Sequence, residues 1–404
     1  MNNFDILKFI NQNITFRKKS MFAEDLKLNH RQLIDQIKNK SALVIGGAGS
    51  IGSSFIKAML RYEPSSLTVV DISENGLTEL TRDLRSTFAS KVPSHYKTYP
   101  INFADSVFYR LLENESPFDI VANFAAHKHV RSEKDEYSVS ALIQNNVLNA
   151  HVFLKTLLKY PPKHFFCVST DKATNPVNIM GASKKLMEDF IMAYSTEYPV
   201  TTARFANVAF SNGSLLDGFI NRIQKKQPIS APNDVRRFFV SPEESGDICL
   251  LACILGKSGD IFFPKLEASQ MLTFSEISDA FLNSMGYQPL YCSTEEEARS
   301  KAIKLDEKSV DYPVYYFSSD TTGEKSFEEF FTQNEEVDQN SFSSLGVIEN
   351  TPKKTPEEIE MITQELRDII NSPNLSKTLF VSIIEKFVPN FKHIETGKNL
   401  DQKM

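Results

Sequence analysis

The chain has 404 residues, with 45 Lys+Arg against 51 Asp+Glu for a formal charge of -6. That sign excludes a polyanion such as DNA held by global electrostatics, so any anionic ligand must be gripped locally. Hydrophobic residues at 41% and charged residues at 24% exclude a disordered or collagen-like chain, and the length suits a large α/β enzyme with a smaller second lobe.

Four cysteines, Cys167, Cys249, Cys253 and Cys292, form no CxxC pair, so neither a disulfide framework nor a zinc site is expected. His127 and His129 flank Lys128 without a companion at metal-ligand spacing, and no metal is expected there either. The N-terminal stretch MNNFDILKFINQNITFRKK breaks its apolar residues with Asp, Lys, Asn and Gln, unlike a signal peptide. No run approaches the ~18 apolar residues of a membrane span, so a soluble cytoplasmic protein is the expectation.

In chain order, residues 1–40 read as a helical arm, with Phe4, Ile6, Leu7 and Ile10 on one stripe and Leu33, Ile34 and Ile37 on another. From Ser41 short apolar runs alternate with helical stretches: ALVIGG, SIGSSFIKAMLRY, SLTVVD, ENGLTELTRDLRS, FDIVANFAA, a long helix, then HFFCVST. This alternation predicts βαβ units over 41–210 and a Rossmann-like, doubly wound parallel sheet. Residues 211–350 are expected to form a smaller substrate-binding lobe, with no sheet pattern from about Cys292 to Asn350. Within it SFEEFF reads as an interface patch or as buried Phe. Residues 351–404 read as a helical tail, its first helix capped by Thr351 or Thr355.

The segment GGAGSIG places Gly46, Gly49 and Gly52, with Ser50 and Ile51 between them, after a strand and before a helix. Glycines at this spacing permit a tight turn, close approach of a pyrophosphate, and packing of helix on strand. The next strand ends in Asp71, roughly 20 residues on, where a carboxylate bonds an adenosine ribose. Together these point to a dinucleotide. Asp71 would repel a 2′-phosphate and Ile72 offers no charge to hold one, so NAD is preferred, with NADP possible if Arg82 and Arg85 fold back.

After HFFC comes VSTDKATNPVNIMGASKK, which puts Thr170, Asp171 and Lys172 at the carboxyl end of a strand. A hydroxyl, a carboxylate and an amine there supply a donor, an acid and a base, or simply a polar loop capping the next helix. Met180 and Lys184 lie four apart on one helical face.

That pair resembles the YxxxK motif of short-chain dehydrogenases with Met in place of Tyr. More narrowly, STDKATNPVNIMGASKK is similar to a segment of the polysaccharide-biosynthesis (CapD-like) nucleotide-sugar 4,6-dehydratases, whose best-known members act on UDP-N-acetylglucosamine. The likeness runs from about Ser41 to about Phe330 through NFAAHKHVRSEKD, NNVLNA, RFANVAFSNGSLLDGF, RRFFVSPEES and DTTGEKSFEE. It departs at Arg131, Asn149, Thr321 and Thr322, the last two standing where Arg and Pro are usual.

The resemblance implies a homodimer or higher oligomer. It assigns the C6 acid to Asp171, the C5 base to Lys172, orientation of O4 to Thr170, and the nicotinamide ribose to Lys184, with Ala125 and Ala126 beside the cofactor. Lys128, Asn146, Arg204, Asn207, Ser214 and Arg237 would hold the nucleotide sugar. Met180 has no proton to exchange, and it resembles the branch that retains configuration at C5. A nucleotide-sugar 4-epimerase, the same chemistry on a GDP- or CDP-sugar, and a non-catalytic NAD-binding protein are the alternatives.

Overall fold

The computed structural model describes residues 4–320, 323, 325 and 327–395. Each apolar run after Ser41 forms a strand: β1 (Ser41–Ile45), β2 (Ser66–Asp71), β3 (His95–Pro100), β4 (Ile120–Asn123), β5 (His164–Val168) and β6 (Val200–Ala203). They pair in parallel in the order β3-β2-β1-β4-β5-β6. Strands β1, β4, β5 and β6 are buried almost throughout, as continuous apolar runs require, whereas β3 at the edge is partly exposed. The order reverses between β1 and β4, and the crevice at the carboxyl ends of such a switch is where open sheets take ligands.

Helices cover both faces. On one, Ser50–Leu60 and Pro242–Leu255 bring Phe55, Ile56, Ile248 and Leu251 against Val44 and Val69. On the other, Ala150–Leu157 and Ile179–Ala193 bring Phe153, Leu186 and Phe190 against Leu43, Val121 and Phe165. The tail helices Pro356–Ile370 and Lys377–Phe387 add Ile362, Leu366 and Phe380 to this second layer, so the tail is part of the core. Thr355, rather than Thr351, caps the first of them in a reciprocal box with Glu358.

The second lobe carries a parallel three-stranded sheet of Gln288–Cys292, Asp311–Phe317 and Ile229–Pro232. The expected absence of sheet after Cys292 is therefore corrected, and the 211–350 boundary is crossed as well. Ile261–Pro264 joins β6 in parallel, then Leu345–Glu349 and Glu336–Asp338 extend the main sheet antiparallel. These strands are only three to five residues long between polar loops, too short for a period to show.

The arm divides. Phe9, Ile10 and Ile14 pack with Phe210, Phe219 and Phe281 of the second lobe, while Phe22, Leu33 and Ile37 pack beside β1. Leu7, expected on the buried stripe, is 57% exposed because Phe9 takes the inward position next to Ile10.

Candidate active site

The turn after β1 brings the glycine segment to the switch point. Gly46 has φ +71, and a Cβ there would lie 2.6 Å from the Ala125 amide nitrogen, so this position admits no side chain. At Gly49 a Cβ would meet only the Gly46 carbonyl at 3.4 Å, leaving the backbone open to a ligand at the start of Ser50–Leu60. Asp71 sits against the same turn, its Oδ2 accepting from the Ala48 amide at 3.0 Å and its Oδ1 from Ser73 at 2.9 Å. Arg82 pairs with Glu79, and Arg85 lies over the Tyr96 ring.

The second cluster follows β5. Thr170 Oγ1 donates to Asp171 Oδ1 at 2.9 Å, and Lys172 Nζ donates to the same oxygen at 3.1 Å. Asp171 is 1% exposed, and its Oδ2 has no hydrogen-bond partner among the described residues. The turn rests on the first turn of Ile179–Ala193, where a Cβ at Gly181 would come within 2.4 Å of the Lys172 carbonyl oxygen. Met180 is buried in the core one helical turn before Lys184. Lys184 Nζ donates to the Val168 carbonyl at the end of β5 at 2.9 Å, and burial pulls its pKa below the usual lysine range.

Two carboxylates that the sequence did not single out lie here, one in this cluster and one at the start of the helix behind it. Glu328 lies buried with Oε1 3.7 Å from Lys172 Nζ and 3.8 Å from Arg237 Nη2, and Oε2 3.8 Å from Lys325 Nζ. Burial alone would lower Lys172, but the Asp171 and Glu328 charges outweigh it and hold the ammonium above its usual range. Burial raises Glu328 against the pull of Lys172. Its signal was the alternation in SFEEFF: Glu328 and Phe330 point inward, whereas Phe327 and Phe331 face solvent.

Glu133, the other, accepts from the Ile179 amide at 2.5 Å while Asn178 Oδ1 accepts from Gly181 at 2.7 Å, so the helix Ile179–Ala193 begins on two side-chain oxygens. Burial pushes Glu133 up to about 7. A carboxyl raised in the folded state favours folding fully below its unfolded pKa, and that advantage is lost as pH rises through about 7. Glu133→Gln should therefore lose less stability than the wild type between pH 4.5 and 8, by up to about 3 kcal/mol in denaturant unfolding. Parallel pH profiles would remove this assignment.

The expected substrate residues divide into two groups. Lys128 and Ser214 converge on one turn with Ser50 of the glycine segment: Lys128 Nζ donates to the Asn212 carbonyl at 3.1 Å, Ser50 Oγ accepts from the Asn212 amide at 2.9 Å, and Ser214 caps Leu215–Gln224. Asn207 lies nearby in sequence, in the short strand paired with Phe239–Val240. Two expectations, for Arg204 and Asn146, are corrected. Arg204 is buried between Glu188, at 2.9 Å, and Glu335, at 2.8 Å, with Nη1 also on the Phe330 carbonyl, so it braces the core instead of meeting a diphosphate. Asn146 spends its carboxamide on His127 N and O and on Ser183 Oγ, fixing the loop after β4. Arg237 reaches the Lys325 carbonyl at 3.0 Å and belongs to the Lys172–Glu328 cluster. Thr321 and Thr322 lie outside the described residues.

Among the described residues no helix is long and apolar enough to cross a membrane. A largely parallel open sheet with a glycine turn at its switch point is a Rossmann-like fold. Solved structures share this fold. Pen from Bacillus thuringiensis superposes with a TM-score of 0.62 at 22% identity, over 82% of this chain and 98% of that one. DesIV, a dTDP-glucose 4,6-dehydratase from Streptomyces venezuelae solved with NAD, gives 0.54 at 19% identity, over 72% and 87%.

The chain belongs to the polysaccharide biosynthesis protein family, whose profile matches residues 42–350. An uncharacterized membrane protein of Methanocaldococcus jannaschii is 31% identical over 259 residues, 62% of this chain and 74% of that protein. The capsular polysaccharide biosynthesis protein CapD of Staphylococcus aureus is 26% identical over 378 residues. That match takes in 90% of this chain but spans only 57% of CapD.

Proposed function

We propose that the chain is an NAD-dependent nucleotide-sugar 4,6-dehydratase acting on UDP-N-acetylglucosamine with retention at C5, for surface-glycan synthesis. The observation that carries this reading is the buried hydrogen-bonded Thr170–Asp171–Lys172 turn at the end of β5. A 4-epimerase has no use for an acid and a base aimed at C5 and C6.

The residues fit NAD. Gly46, Gly49, Ser50, Ile51 and Gly52 would hold its pyrophosphate at a helix N-terminus, Asp71 its adenosine ribose, and Ala125, Ala126 and Lys184 its nicotinamide side. Bound NAD would supply oxidation at C4, which makes the C5 proton acidic, and would give the same hydride back at C6, so no outside reductant is needed.

The chain's own groups then manage protons. Met180 carries none, so the O4 proton passes through the Thr170 hydroxyl to Asp171, which the Thr170–Asp171 hydrogen bond at 2.9 Å permits. Asp171 delivers that proton to the departing C6 hydroxyl. Lys172 removes the C5 proton and returns it to C5 at the end, so the net change is loss of one water.

Incubation with UDP-N-acetylglucosamine and NAD, read by mass spectrometry, should show the loss of one water with no added reductant. An unchanged mass with an inverted C4 centre would make the chain an epimerase. No change across UDP-, GDP- and CDP-sugars would leave a binding protein.

A further inference from the structure

Elimination needs Lys172 as a neutral amine, yet the structure surrounds it with carboxylates that keep it an ammonium. The proton must have somewhere to go, and Asp171 is unsuited to receive it once it carries the proton from O4. Among the described residues the other carboxylate within 4 Å of Lys172 Nζ is Glu328, at 3.7 Å. Resting on the dehydratase reading, we infer that Glu328 is the positioning residue through which Lys172 gains and loses its proton.

Several observations support the pairing. Glu328 comes from a loop distant in sequence, is buried, and has an Oε2 with no hydrogen-bond partner among the described residues. The charged groups facing it are Asp171 and Lys172 from the turn after β5, Arg237 from Arg236–Arg237, and Lys325 from its own loop. Arg237 and Lys325 are tied to the Lys325 and Thr174 carbonyls respectively, so they stay in place and balance the carboxylates while the Lys172 proton moves. The gap to Lys172 exceeds a charge-assisted hydrogen bond by less than about 1 Å, which a small side-chain shift or one water spans.

The steps balance. When Asp171 has taken the O4 proton, Glu328 is the charged carboxylate left beside Lys172 among the described residues, and a desolvated ammonium–carboxylate pair relaxes toward its neutral form. A Lys172 N–H bond breaks and a Glu328 O–H bond forms. The amine then takes the C5 proton, the C–H electron pair stays on the sugar as the enolate of the 4-ketone, and the C6–O bond breaks as Asp171 protonates the leaving hydroxyl. With the hydride from C4 delivered to C6, Lys172 returns its proton to C5, and Glu328 then restores the ammonium.

The pairing is tested first without substrate, by acetylating the intact protein with acetic anhydride across pH and quantifying Lys172 by peptide mass spectrometry. Glu328→Gln should lower the acetylation midpoint by at least about one pH unit, with Glu328→Asp intermediate. A midpoint that does not move in either variant overturns the inference. In turnover of UDP-N-acetylglucosamine at pH 7, Glu328→Gln should lower kcat at least about 100-fold with KM unchanged, and the loss should shrink as pH rises. A Gln variant that keeps its kcat, with its optimum shifted to lower pH, would make Glu328 a mere counter-charge and also overturn it. If the wild type removes no water while its Lys172 midpoint answers to Glu328, the dehydratase reading fails and the pairing stands.

Discussion

Asp171→Asn is expected to cut dehydration of UDP-N-acetylglucosamine by about 10³-fold or more, with NADH binding and the unfolding midpoint close to those of the wild type. The substitution is nearly isosteric. An Asn carbonyl still accepts from Thr170 Oγ1, at 2.9 Å in the wild type, and from Lys172 Nζ, at 3.1 Å, so the turn after β5 keeps its geometry. What disappears on the proposed mechanism is the ability to take a proton from O4 and give it to the C6 hydroxyl. With Met180 at the usual tyrosine position, no neighbouring phenol substitutes. The measurement is the rate of water loss by mass spectrometry beside an NADH fluorescence titration, which the absence of Trp leaves free of indole background. Full activity in Asp171→Asn would take Asp171 out of the reaction.

Arg204→Met should lower the unfolding free energy by about 3–5 kcal/mol, the largest stability effect expected of any residue near the site. Arg204 is 1% exposed and binds Glu188 in a two-point pair, 3.0 Å from Nε and 2.9 Å from Nη2, while Glu335 takes the other edge of the guanidinium. Removing the cation strands Glu188, which is fully buried, with only Ser169 Oγ and the more distant Lys185 at 3.6 Å. Burial would raise Glu188, but Arg204 and Lys185 outweigh it and bring its pKa down to about 2. A carboxyl depressed on folding stabilises above its unfolded pKa, and the benefit fades as pH falls from about 4.5 toward 2. The wild type should therefore weaken across that window, and Arg204→Met should lose the slope. Adding Glu188→Gln to Arg204→Met should recover part of the loss, because it removes the stranded charge. A variant of wild-type stability with weakened UDP binding would instead restore Arg204 to the nucleotide.

Local chemistry made one part of this protein legible from its residues. Glycines 46, 49 and 52 followed by Asp71 announce a phosphate turn because only a side-chain-free backbone admits so close an approach. Alternating apolar runs announce a parallel sheet because its strands must be buried on both faces. Thr170, Asp171, Lys172 and Lys184 could be proposed together because a turn and one helical face bring them close along the chain.

Contacts made across long separations were decided only by the tertiary structure. Arg204, a nucleotide-sugar residue by resemblance, is closed over by Glu335, 131 residues away. Asn146 reads as a ligand residue until the His127 loop consumes its amide. Glu328 reads as one acid in a charged run, and only the fold carries it 156 residues back to Lys172. The sheet likewise gains Leu345–Glu349 from a stretch with no visible period. A side chain's type and spacing determine which interactions it is able to make. Which of them it makes depends on what the rest of the chain buries beside it, since desolvation leaves a charge no choice but the partner within reach.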